Sequence, residues 1–73
     1  MTVTWAGVLS DNIARIGYDD EAEVLLVQWE KSGKTSAYGP GVTADLFDEA
    51  SKAWSVTDFV NSEIKPNFSH RYL

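Results

Sequence analysis

The residues that could do chemistry are few. His70 is the only histidine and cysteine is absent, so a metal centre would need carboxylates gathered around one imidazole. No ligand spacing of the kind that holds zinc accompanies it, and a surface histidine without metal is expected. Ser10 with Asp11, and Ser69 with His70, contain the residue types of a nucleophile and its base. Neighbours in sequence do not make a catalytic triad, and no nucleophile elbow or oxyanion-hole motif stands beside either pair. Ser32, Gly33, Lys34 and Thr35 look like the end of a phosphate-binding loop. The loop's first glycine is missing, and its surroundings read as a hairpin rather than a strand-to-helix turn. The carboxylates are numerous, but no spacing singles out an acid and base pair. The expectation is a protein that is not an enzyme, needs no cofactor and works through its surface.

Charge narrows the partners. Eleven acidic against six basic side chains give a net charge of −5 over 73 residues. Such a field repels phosphate backbones, so direct nucleic-acid binding is not expected. Lys31, Lys34, Lys52, Lys65, Arg15 and Arg71 are scattered, with no basic stripe. Asp19, Asp20, Glu21 and Glu23 crowd into one short stretch, which reads either as a solvated turn or as a negative patch for a basic protein surface. No apolar run approaches the roughly 20 residues that span a bilayer, and the opening Met1, Thr2, Val3 and Thr4 lacks the basic region of a signal peptide. A cytoplasmic location away from membranes is expected, and a monomer.

The elements that must position these residues follow from periodicity. At 44% apolar residues the chain has enough for a core, although a domain this short buries only roughly 60% of its unfolded surface. Ile13 to Tyr18 reads as a strand with Ala14, Ile16 and Tyr18 on one face. The acidic turn leads to a second strand, Val24 to Glu30, where Leu25, Val27 and Trp29 alternate with Val24, Leu26 and Gln28. Only one of these faces is expected to meet the main core. Lys31 to Lys34 has the length and glycine of a hairpin turn, Thr35 to Tyr38 returns as a strand, and Gly39, Pro40 and Gly41 end the sheet.

Two short helices are expected next. Thr43 is placed to cap a segment in which Leu46, Phe47, Ala50, Ala53 and Trp54 form the buried stripe. Ser55 and Asp58 stand in capping-box spacing and restart the pattern. Val56, Phe59, Val60 and Ile64 face inward, and Pro66 stops the helix. Met1 to Leu9, with Val3, Trp5, Val8 and Leu9, is an edge strand or a flexible arm. The fold class is thus α+β in a single domain, residues 1–73: a small antiparallel meander of three to four strands followed by two short helices.

From Ser10 onward the chain resembles the KTSC domain, a small module found at the C-terminus of some lysyl-tRNA synthetases and as stand-alone bacterial and phage proteins. The resemblance rests on Ser10, Ile13, Ile16, Gly17, Tyr18 and Asp19, then Leu25, Val27, Trp29, Ser32, Gly33 and Lys34. It continues through Tyr38, Val42, Ala53, Ser55, Asn61, Ile64 and Lys65 to Arg71. The family's pair of tyrosines around one residue is here Ser36, Ala37 and Tyr38. Thr43 replaces a proline and Thr57 a helix-start glycine. The resemblance implies the fold, with an RNA-associated role suggested, and the loss of a tyrosine removes one ring on which a base could stack.

In size, acidic balance and opening segment the whole chain is also similar to small phage-encoded transcription regulators. That likeness implies a protein that binds host RNA polymerase, at the N-terminal segment of the β′ subunit. It implies inhibition of transcription initiation and antitermination. The alternative is a nucleic-acid or tRNA-associated module of the KTSC type. For a protein partner, Val3, Trp5 and Leu26 are the candidate apolar anchors and Asp19, Asp20, Glu21 and Glu23 the steering charges, since interfaces place apolar anchors centrally and charges at the rim.

Overall fold

A computed structural model describes residues 3–8 and 10–73, and shows an α+β architecture built on one antiparallel five-stranded sheet. The strands are β1 (Val3–Gly7), β2 (Ile13–Asp19), β3 (Val24–Trp29), β4 (Thr35–Tyr38) and β5 (His70–Tyr72), ordered across the sheet as they occur in the chain. Between β4 and β5 come helix α1 (Ala44–Lys52) and helix α2 (Val56–Phe59), the latter running on into a π-helical segment, Val60–Ile64. The expected meander takes its four-strand form, and the sheet gains one unexpected strand after the helices. The opening segment is a strand, with Met1, Thr2 and Leu9 outside the described residues, and a fifth strand follows the helices.

The caps form where their residue types place them. Thr43 Oγ1 accepts the Leu46 N–H at 3.1 Å, and Ser55 Oγ accepts the Asp58 N–H at 3.3 Å. Each satisfies a donor that the first helical turn leaves without a partner. In the β3–β4 turn, Gly33 takes the left-handed conformation at φ 69° and its N–H bonds to the Trp29 carbonyl. Val60 to Ile64 widens into π-helix, with the Lys65 N–H reaching the Val60 carbonyl.

The helices lie on one face of the sheet. Ile13, Ile16, Tyr18, Leu25, Val27 and Tyr38 pack there with Val42, Ala50, Val56, Val60 and Ile64 into the main core. Two sequence expectations change. A register irregularity between Ile13 and Arg15 reverses the alternation, so Ile13, and not Ala14, joins Ile16 and Tyr18 in the core; a bulge does this because one extra residue flips every side chain beyond it. Helix α1 stops at Lys52, Ala53 being extended at ψ 145°, so Trp54 leaves the buried stripe and stands fully in solvent.

The other sheet face is also packed, but by strands alone. Val24, Leu26 and Ala37 form a second, smaller cluster with Val3 against it, containing no helix residue. As expected, only one face of β3, that of Leu25 and Val27, meets the main core, while Val24 and Leu26 on its other face are buried in the second cluster.

Candidate functional site: an aromatic and acidic sheet face

The cross-strand register sets the surface on this second face. Val3 lies opposite Asp19, Trp5 opposite Gly17 and Gly7 opposite Arg15, while on the far side of β2 Gly17 faces Leu26 and Arg15 faces Gln28. Directly opposed residues share a face, so Val3, Trp5, Gly17, Arg15, Leu26 and Gln28 belong to one side. The Trp5 ring rests on Gly17, where an added Cβ would come within 2.8 Å of the ring. The Arg15 guanidinium caps that ring 3.9 Å from its centroid and donates to Gln28 Oε1 at 2.7 Å. A surface tryptophan is so held between a glycine floor and an arginine, still 37% exposed.

The three expected apolar anchors therefore meet on one side of the sheet, with different roles in it. Trp5 is open to solvent, Val3 is half-buried, and Leu26, at 5% exposure, is part of the floor beneath Val3. A shallow depression of about 350 Å³ adjoins this floor, lined by Val24, Ala37, Pro40 and Arg71 among others.

The acidic residues sit at the end of the β2–β3 hairpin. Asp19 is only 3% exposed, and its Oδ1 accepts the N–H groups of Glu21 and Ala22 at 3.1 and 3.2 Å. Its carboxylate shapes the turn, while Asp20, Glu21 and Glu23 are exposed. The turn is tied to the body: Glu23 adopts φ 55° and its carbonyl accepts the Val42 N–H at 3.0 Å. Next to it, Tyr18 Oη donates to the Val42 carbonyl at 2.7 Å and the Tyr18 ring stacks on Phe47. Burial pushes the Tyr18 phenol above its ordinary range, and the charges of Glu23, Asp20 and Asp19 push it further.

Ser10 serves the scaffold. Ser10 Oγ meets Thr57 Oγ1 at 3.0 Å and also lies within hydrogen-bond distance of the N–H groups of Asn12 and Ile13. Thr57 so supplies a hydroxyl that ties the start of α2 to the segment leading into β2. Among the described residues no group of His, Asp and Glu is arranged to hold a metal ion.

Two features escaped the sequence reading. Trp54, read as core, is a fully exposed ring beside a polar groove lined by Ser10, Asp11, Thr57 and Asp58. The signal was present: Ser55 as N-cap puts Trp54 outside the helix, where a helical stripe cannot extend. The second is an aromatic cleft at the opposite edge of the sheet, where β5 brings His70 and Tyr72 beside Tyr38.

A four-stranded meander joined, after a helical layer, by a fifth strand defines a small α+β module. The KTSC domain family matches residues 9–68, and the chain belongs to that family. A crystal structure of a KTSC domain protein from Yersinia pestis has the same fold, with a TM-score of 0.85 and 29% identity over 99% of this chain and 99% of that one. No curated protein matches the sequence significantly.

Proposed function

We propose that this KTSC domain protein is a transcription regulator of phage type that binds bacterial RNA polymerase in the host cytoplasm, acts without catalysis, inhibits initiation and favours antitermination. The observation that carries the reading is the pairing of Trp5, exposed on β1 on the sheet side whose apolar cluster contains no helix residue, with the anchored acidic turn that follows the neighbouring strand, β2. An exposed, rigidly seated tryptophan is the residue type that dominates interface energies, and nearby charges of one sign steer a partner of the opposite sign. Val3 and Trp5 supply the apolar contact, Leu26 supports them from below, and Asp20, Glu21 and Glu23 face a basic segment. The N-terminal segment of the β′ subunit is the implied target. Asp19 contributes by holding the turn.

The experiment is direct binding to purified host polymerase combined with promoter-dependent transcription. Inhibition is expected to be stoichiometric, saturating near one inhibitor per polymerase. Trp5→Ala should speed dissociation and cost about 2 kcal/mol of binding, as a hot spot does. Neutralising Asp20, Glu21 and Glu23 should instead slow association and flatten its salt dependence, since exposed charges act across a screening length of about 8 Å at 0.15 M. A protein that neither co-elutes with polymerase nor lowers transcript yield refutes the proposal.

The alternative, a nucleic-acid-associated module, has one observation in its favour. Lys34 and Lys65, far apart in sequence, both stand over aromatic rings at the β4–β5 edge.

A further inference from the structure

The cleft at that edge is built unlike the rest of the molecule. It encloses about 270 Å³ and is lined by Trp29, Ser36, Tyr38, Lys65, His70 and Tyr72, with no carboxylate in a protein of net charge −5. Its rings form a connected set: Tyr38 and His70 have centroids 5.0 Å apart, and His70 meets Tyr72 edge-on at 4.7 Å. Lys65 Nζ sits 5.5 Å from the Trp29 ring centroid, and Lys34 Nζ sits 5.6 Å from that of Tyr72. Tyr72 is 63% exposed, a large ring offered to solvent in a strand of three residues.

We propose that this cleft binds a single nucleotide unit, a planar base stacked on the Tyr72 ring with the perpendicular His70 ring at its edge, and its phosphate toward the Lys65 ammonium that lines the cleft, with Lys34 adding positive charge beside Tyr72. Rings and cations without a carboxylate select a ligand that is aromatic and anionic at once. A base provides the first property and a phosphate the second. The inner indole donor is already engaged, because Trp29 Nε1 donates to Ser36 Oγ at 2.8 Å, and the Tyr38 ring is buried. The base is therefore held by stacking and not read by hydrogen bonds, so different bases bind alike. The net charge opposes a long strand tracking over the surface, but it does not oppose one nucleotide entering a locally positive cleft. The proposal is independent of polymerase binding.

The test is an NMR titration of the isolated protein, following the Trp29 indole N–H and the backbone amides of residues 70–72. The probes are AMP, UMP, inorganic phosphate and a short single-stranded oligouridylate. The expected result is saturable shifts with both mononucleotides and none of comparable size with phosphate. Shifts with the mononucleotides but not the oligouridylate assign the site to free nucleotides, shifts with both extend it to a nucleotide within a strand, and shifts with the oligouridylate alone would overturn the single-nucleotide site. Tyr72→Ala should weaken binding about tenfold, the loss of one stacked ring. Lys65→Gln should weaken it less, and Trp5→Ala should leave it unchanged. Equal shifts with phosphate alone would reduce the cleft to a simple anion site and overturn the proposal, as would no shift with any probe.

Discussion

At Gly17 the chain leaves out a side chain so that the Trp5 ring can lie against the sheet, and this absence makes the ring a usable contact. In Gly17→Ala the new methyl group would meet Trp5 at 2.8 Å. The ring borders solvent and can swing away, so the stability loss should be about 1 kcal/mol, the low end for overpacking. Arg15 would lose its ring partner, and polymerase binding should fall as in Trp5→Ala. A Gly17→Ala protein with unchanged Trp5 indole resonance and unchanged binding would remove the platform from the account. Tyr18 and Tyr38 make a second residue-scale prediction. Burial raises both phenol pKa values, with carboxylate charges adding to the rise at Tyr18 and a Ser36 hydrogen bond partly opposing it at Tyr38. The folded chain then keeps these protons to higher pH than the unfolded chain, whose tyrosines titrate near about 10. Stability is full below that pH and falls as pH rises through the folded values. Denaturant midpoints measured across the alkaline range should decline less steeply in Tyr18→Phe than in the parent.

The elements were legible wherever a local rule governs them. The two N-caps, the Gly33 turn and the alternating β3 strand need only neighbouring residues for their explanation. Ser55→Ala should accordingly lower stability by about 1 kcal/mol with the fold intact, and an equilibrium unfolding curve without a shift would show that the Ser55 to Asp58 bond carries no weight. What could not be read depends on partners distant in the chain. Strand β5 has three exposed residues and no apolar alternation, and it exists because β4 offers it an edge. The reversal at Ile13 comes from how β2 meets β3, and composition carries no trace of it. Trp54 matched the helical period of α1, but the helix had already ended two residues earlier.

In the whole molecule, two surfaces of opposite character lie on different sides of one sheet. The register places Val3, Trp5 and Leu26 on one side of the sheet, although the opening segment carries no clean alternation from which that placement could be read. The lysines looked scattered because only the fold brings Lys34 over Tyr72 and Lys65 over Trp29, two rings of one cleft. Separate surfaces should give separable phenotypes: Trp5→Ala should weaken polymerase inhibition with nucleotide-induced shifts unchanged, and Tyr72→Ala should weaken nucleotide binding with polymerase inhibition unchanged. If both variants lost both properties, the two faces would be acting as one site. The fifth strand has a further consequence. It supplies two rings of the cleft, and it also shields the hydrogen-bonding edge of β4 from Ser36 to Tyr38. Being short and exposed, it is the part of the sheet most ready to fray, and fraying would dismantle the cleft and bare an edge able to template pairing with another chain. A molecule lodged in the cleft would fasten that strand in place, so that occupancy acts as a latch against self-association.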